Sequence, residues 1–154
     1  MKTEKPLTYL LGQTFNLMRM KLKESFRENN MDFSMEQYIM LNLISHKNDL
    51  TQQDLANHFQ KDKSLILRHV NILIEELYVN RKIDTDDKRK KILSLTSKGQ
   101  TVLDLLRKTA HQVSEDLLEG VTESEKEVFQ KVIQKIQNNT GQIDPLEKME
   151  NCKQ

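Results

Sequence analysis

Arg81, Lys82, Lys88, Arg89, Lys90 and Lys91 place six cations in one short stretch of a 154-residue chain, interrupted only by Asp84, Asp86 and Asp87 among charged residues. The net charge is only +1, and from Ala110 onward nine acids outweigh five bases, so basic surface is concentrated in the middle of the sequence. Cations at this density neutralise a polyanion and release its counter-ions, and arginine adds a planar fork of donors that fits a phosphate or a base edge. Asp87 stands two residues before Arg89, on the same side of an extended chain, where it can orient the guanidinium. A charge cluster by itself reads as readily as solvated surface. Its meaning depends on the elements that carry it.

Other chemistries find little support. The one cysteine, Cys152, leaves no internal disulfide and no cysteine-rich zinc site, and it lies in a polar tail with no neighbourhood that would favour thiolate sensing. His46, His58, His69 and His111 are scattered, with no His-x-x-x-His pair, so no metal is expected. There is no glycine-rich phosphate loop, nucleophile elbow or zinc-protease motif, and the expectation is a non-enzyme without a cofactor. Near the start, the apolar run Tyr9-Leu10-Leu11 is interrupted by Gln13 and Thr14. No later run approaches the roughly 18 apolar residues of a membrane span, so the expectation is a cytoplasmic chain with no membrane partner. No Trp, four Gly and two Pro favour helices, and the length suits one domain over 1–154.

The hydrophobic periodicity supplies the elements. Leu11, Phe15, Met18, Leu22 and Phe26 recur at helical spacing over 7–29. Ser34-Met35-Glu36-Gln37 has the capping-box pattern, and Tyr38, Leu41 and Ile44 or Ser45 continue a helix to His46. Thr51-Gln52-Gln53-Asp54 resembles a second cap, leading to Leu55, Ala56 and Phe59. Only Gln60 and Lys61 then precede Asp62, a candidate cap for the next helix. Over 63–77 the residues Leu65, Ile66, His69 or Val70, Leu73 and Leu77 describe one buried stripe, leaving Lys63, Ser64, Leu67, Arg68 and Asn71 on the opposite side. Small Ala56 suits a close crossing of the two helices. Residues 78–83 and 90–95 can pair as strands around the turn Asp84-Thr85-Asp86-Asp87-Lys88. The predicted fold is mainly α with a small β-hairpin wing, a winged helix-turn-helix over 34–96.

Two further helices follow. Thr96 caps one that contains Val102, Leu105, Leu106, Val113 and Leu117 and ends near Gly120. Thr122-Glu123-Ser124-Glu125 is a capping box for another, with Val128, Phe129, Val132, Ile133 and Ile136 on one face, followed by a polar tail over 139–154. These faces either complete a monomeric core or pair two chains.

The ordered set resembles the multiple antibiotic resistance regulator (MarR) family of winged helix-turn-helix transcription regulators. The resemblance rests on the capped helix at Ser34, on Thr51-Gln52-Gln53-Asp54-Leu55-Ala56, on Lys63-Ser64-Leu65 with Arg68, and on Arg81. Its most specific part is Asp87-x-Arg89 followed by Leu95-Thr96 and Lys98-Gly99. It implies a homodimer on double-stranded DNA with a pseudo-palindromic operator, repression as the commoner mode, and release by a small, often aromatic or anionic, effector. The helices over 7–29 and 97–138 would then be the dimerisation helices, through Leu7, Leu11, Phe15, Val128, Phe129, Val132, Ile133 and Ile136.

On that footing Lys63, Ser64, Leu67 and Arg68 face the major groove, Arg68 towards guanine O6 and N7. Thr51, Gln52 and Lys61 bracket the phosphate backbone. Arg89, oriented by Asp87, enters a narrow minor groove, and Arg81, Lys88, Lys90 and Lys91 neutralise phosphates. The alternative is a winged-helix module for protein association without specific DNA readout. One departure stands out: Leu77 occupies a position where the family usually has glycine, and a non-glycine residue resists a left-handed helix end, which leaves the wing's angle open.

Overall fold

A computed structural model describes residues 5–59 and 63–142. Along the chain run α1 (Leu7–Glu28), α2 (Met35–His46), α3 (Gln52–Phe59), α4 (Lys63–Glu75), β1 (Val79–Ile83), β2 (Lys91–Leu95), α5 (Ser97–Leu117) and α6 (Glu123–Asn139). The chain divides into two compact units, Met1–Leu117 and Leu118–Gln154.

In the first unit, each helix turns one face to a common core. α2 contributes Met40, Leu41, Leu43 and Ile44, α3 Leu55 and Ala56, and α4 Ile66, Val70 and Leu73. Val79 and Leu93 enter from the strands, Leu103, Leu106 and Val113 from α5, and Phe26 from α1. Each large aliphatic side chain taken from water contributes roughly 1.5–3 kcal/mol, so the core fixes which face of each helix is left outside. α2 starts where its sequence says it should: the Ser34 hydroxyl accepts from the Gln37 amide at 3.1 Å, and the Gln37 side chain accepts from the Ser34 amide at 2.9 Å. Polar ties then lock α2 to its neighbours. Arg19 of α1 meets Glu36 at 3.2 Å, and Arg107 of α5 donates to Asn42 at 2.8 Å and to Ser45 at 2.7 Å.

The buried stripe of α4 is narrower than its sequence suggests. Ile66, Val70 and Leu73 fall on one line at i, i+4 and i+7, whereas Leu65 is turned about 100° away and is 38% exposed. Leu77 lies beyond the helix and is 66% exposed. The strands pair antiparallel from Val79 with Leu95 to Ile83 with Lys91. A bridge between Thr51 and Ile92, with the Leu93 amide donating to the Leu50 carbonyl at 2.9 Å, ties the entry to α3 onto the hairpin. Residues so far apart along the chain carry no local signal of that bridge.

The exit from α4 resolves the question that Leu77 raises. Leu77 adopts φ +64°, the left-handed conformation usually left to glycine. The Tyr78 amide donates to the Leu73 carbonyl and the Leu77 amide to the Ile74 carbonyl, both at 2.9 Å, which is the Schellman arrangement. The same pattern ends α1, with Asn30 at φ +58°.

The second unit is built around α6, started by a capping box in which the Thr122 amide donates to Glu125 at 2.8 Å and the Glu125 amide to Thr122 at 3.3 Å. Its Val128, Phe129 and Val132 are exposed, and Ile133 and Ile136 half-buried.

A left-handed non-glycine residue costs about 1–2 kcal/mol, and exposed Leu77 buries too little to offset the gain from glycine. Leu77→Gly is therefore expected to raise unfolding free energy by about 1 kcal/mol in denaturant titration. Destabilisation would contradict the reading of this corner as strained.

Candidate nucleic-acid interface

Three elements converge on one face of the first unit: the start of α3, the start of α4 and the tip of the hairpin. They enclose an open groove of about 590 Å³. Thr51, Gln52, Gln53, Asp54 and Ala56 line it from the start of α3, Lys63 and Ile66 from α4, and Asp87, Arg89, Lys90 and Lys91 from the wing.

The start of α3 is held by its own cap. The Thr51 hydroxyl accepts from the Asp54 amide at 3.1 Å and donates to the Asp54 carboxylate at 2.8 Å, while the Thr51 amide donates to the same carboxylate at 2.9 Å. The hydroxyl of Thr51 is thus engaged within the cap. Gln53, which sequence reasoning did not select, lines the same groove and donates to Asn57 at 2.8 Å.

On α4, Lys63, Ser64, Leu67 and Arg68 are all exposed, opposite the buried line of Ile66, Val70 and Leu73. His69 is half-buried, with its Nδ1 shielded from solvent and lacking a hydrogen-bond partner. Lys61 and Asp62 lie outside the described residues. Arg81 has a role that its sequence position does not reveal. From β1 its Nη1 reaches Asn71 of α4 at 3.2 Å and Gln52 of α3 at 3.4 Å, so one guanidinium spans the three elements.

The wing tip is ordered by two carboxylates. The Asp84 side chain accepts from the amides of Asp86 at 2.7 Å and Asp87 at 2.9 Å, an Asx-type turn that the short polar run anticipates. The Asp84 amide donates to the Lys90 carbonyl at 3.0 Å, and the Lys90 amide to the Asp87 carbonyl at 2.8 Å, closing the loop. Asp87 in turn accepts from both the amide and Nε of Arg89 at 3.1 Å. Arg89 Nη2 also donates to the second Asp87 oxygen at 3.5 Å; with the Asp87 side chain 32% exposed and that of Arg89 92%, the carboxylate holds one edge of the guanidinium and leaves the rest to solvent. The Arg89 side chain and amide hold the Asp87 carboxyl below its ordinary range, and the amides of Asp87 and Asp86 do the same for Asp84. Lys88, Lys90 and Lys91 are exposed around them.

Outside this face, α1 carries Leu7 and Phe15 in the open, the latter 59% exposed, with Leu11 half-buried. Leu10, Leu17 and Met20 are exposed on the same helix and were not selected from the sequence. No cluster of three or more His, Cys, Asp or Glu suited to a metal occurs among the described residues, and no described helix is long and apolar enough to cross a membrane.

Two consecutive helices, the second with an outward-facing side, followed by an antiparallel hairpin, define a winged helix-turn-helix protein. Residues 33–91 match the sequence model of the MarR family. Over that segment the chain is similar to the MarR family, and its fold is that of the family's winged helix-turn-helix structures. Among relatives, it is 24% identical over 105 residues to YdgJ of Bacillus subtilis strain 168, an uncharacterized HTH-type transcriptional regulator. That alignment covers 68% of this chain and 64% of YdgJ, just under two thirds of the relative's length. A crystal structure of MarR superposes with a TM-score of 0.76 at 25% identity, covering 91% of this chain and 94% of the other. MepR of S. aureus, crystallised as a complex with DNA, superposes with a TM-score of 0.77 at 21% identity, covering 88% and 99%.

A carboxyl whose folded value is depressed stabilises the fold above its unfolded value, and that contribution is lost as pH falls through the folded value. The wing-tip hydrogen bonds of Asp84 and Asp87 should therefore persist at neutral pH and survive below the ordinary carboxyl value of 3.8. Amide chemical shifts of Asp86, Asp87 and Arg89 followed through an acid titration should show midpoints below that value. Midpoints at or above it would mean that the tip is not ordered as described.

Proposed function

We propose that two copies of this chain bind a pseudo-palindromic stretch of double-stranded DNA, each with α4 in the major groove and the wing in the adjacent minor groove, and that the complex represses transcription until a small ligand releases it. The observation that carries this reading is the juxtaposition around the groove. The exposed end of α4 with Lys63, Ser64, Leu67 and Arg68 stands across from a wing whose Arg89 is pre-oriented by Asp87. Only the major groove admits a helix, and an arginine at a hairpin tip suits the enhanced negative potential of a narrow minor groove.

Contacts divide by what they carry. Arg68 is assigned to a base edge, where a paired hydrogen bond to guanine discriminates by about 1–3 kcal/mol. The amides at the start of α3, Gln52 and Lys61 position the backbone, as do Lys88, Lys90 and Lys91. Arg81 serves twice, adding positive charge while joining β1 to Asn71 and Gln52. The DNA complex of MepR, a protein of the same fold, supports the choice of partner.

Pairing of two copies is supported by apolar surface that water should not face. Leu7 and Phe15 on α1, with Leu11 beside them, and Val128, Phe129 and Val132 on α6, with Ile133 and Ile136, are assigned to the dimer interface. Two-fold pairing would set two reading helices about 34 Å apart, one turn of duplex. The ligand is assigned by family as small and aromatic or anionic.

Fluorescence anisotropy tests the reading with a labelled duplex enriched from random-sequence DNA by the intact chain. Arg68→Ala and Arg89→Ala are each expected to weaken binding by about 1–3 kcal/mol, and Lys90→Ala to reduce the salt slope by about 1. Unchanged affinity for both arginine variants at moderate salt would leave the winged module to protein association instead. For the pairing, Phe15→Glu combined with Val132→Glu is expected to shift sedimentation from dimer to monomer; a persistent tight dimer would place the interface elsewhere.

A further inference from the structure

The first turn of α5 closes on the corner between α4 and β1. The Thr96 hydroxyl donates to the Leu77 carbonyl at 2.6 Å and accepts from the Gly99 amide at 2.9 Å, so one oxygen both starts α5 and holds the left-handed residue. The Thr96 amide donates to the Tyr78 carbonyl at 3.1 Å. Lys98 reaches back from the same turn to donate to the Glu76 carbonyl at 2.7 Å, and its ammonium lies 4.5 Å from the centre of the Tyr78 ring. That carbonyl is one of the acceptors that a helix end leaves without an internal partner, and a cation there also complements the helix dipole. Gly99 lets the two segments touch: a Cβ at this position would overlap the Tyr78 carbonyl oxygen. Three consecutive residues of the corner, Glu76, Leu77 and Tyr78, are thereby gripped through their carbonyls.

The grip acts where it has most leverage. Leu77 at φ +64° is a strained pivot, and a left-handed leucine persists only where its surroundings over-determine it. β1 begins at Val79, two residues later, and carries the wing rigidly through its pairing with β2. A small rotation at the corner therefore becomes a displacement of Arg89 at the far end of the hairpin.

The geometry points to Thr96 and Lys98 as positioning residues for DNA binding: they set the angle of the wing to the reading helix, so that Arg89 reaches the minor groove while Arg68 occupies the major groove. The inference rests on the proposed DNA reading and adds to it residues that touch no DNA. Thr96 and Lys98 act through Arg89, and their effect should vanish when Arg89 has nothing to contribute.

A double-mutant cycle on the full chain reads this directly, using the labelled duplex enriched from random-sequence DNA. Lys98→Met keeps the aliphatic stem and loses the donor; Thr96→Val loses the hydroxyl and Thr96→Ser restores it. Arg89→Ala is expected to weaken binding on the order of tenfold, and Lys98→Met or Thr96→Val several-fold. Either corner substitution combined with Arg89→Ala should bind no worse than Arg89→Ala alone, and Thr96→Ser should bind as the parent does. General destabilisation would instead lower affinity by the same factor with or without Arg89. If Arg89→Ala weakens binding and the corner variants add their full factor to it, the positioning role is wrong while the DNA reading stands. Loss of any effect of Arg89→Ala would overturn the wing's part in binding and the positioning role with it.

Discussion

A single backbone corner, Leu77 in the left-handed conformation, joins the helix that faces outward to the hairpin beside it. Upstream, α4 is fixed by burial of Ile66, Val70 and Leu73, so its exposed face cannot rotate without exposing the core. Downstream, β1 is fixed by its register with β2. Those two rigid bodies meet at 76–78, and the orientation of one to the other is decided there. The Schellman hydrogen bonds satisfy the end of α4, Thr96 and Lys98 satisfy the carbonyls that face α5, and Arg81 adds a second strut from β1 to Asn71 and Gln52. Strain at one residue is tolerated because several hydrogen bonds agree on where it must lie.

Much of this was legible in the residue order, because much of it is local. The capping boxes at Ser34 and Thr122 involve residues three apart, and both form as their sequences specify. The Asp87 and Arg89 pair lies within a single turn, and its two-residue spacing together with the family resemblance indicated that Asp87 would orient Arg89. The hairpin strands follow from alternation bounded by a polar turn, with ends displaced by one residue on each strand, Tyr78 and Lys90 lying just outside. The outward face of α4 was legible too, although Leu65 was placed on the wrong side of it. Adjacent leucines in a helix differ in direction by about 100°, and composition alone does not say which faces in.

What stayed hidden joins residues far apart in sequence. Nothing near Leu50 announces that its carbonyl will receive the Leu93 amide, and nothing near Arg81 announces Asn71 and Gln52. Leucine in place of glycine at 77 leaves the wing's angle open in the sequence, whereas in the structure the exit is a regular Schellman end and the leucine takes the left-handed conformation. The reason lies in Thr96, Lys98 and Gly99, about twenty residues on, a motif recognisable in sequence without its mechanical role being readable there. The wing's charge balance has the same character. Asp84, Asp86 and Asp87 dilute the basic cluster on paper, yet two of them are spent shaping the tip, and the cations around them remain exposed.

The central claim is that two copies of this chain read a duplex through symmetrically placed helices and wings. Sequencing the DNA that the intact chain retains from a random-sequence pool tests it most directly. The expected result is an inverted repeat whose half-site centres lie about one helical turn, roughly 10 base pairs, apart. Retained DNA with no common sequence, or with a single unrepeated half-site, would contradict it.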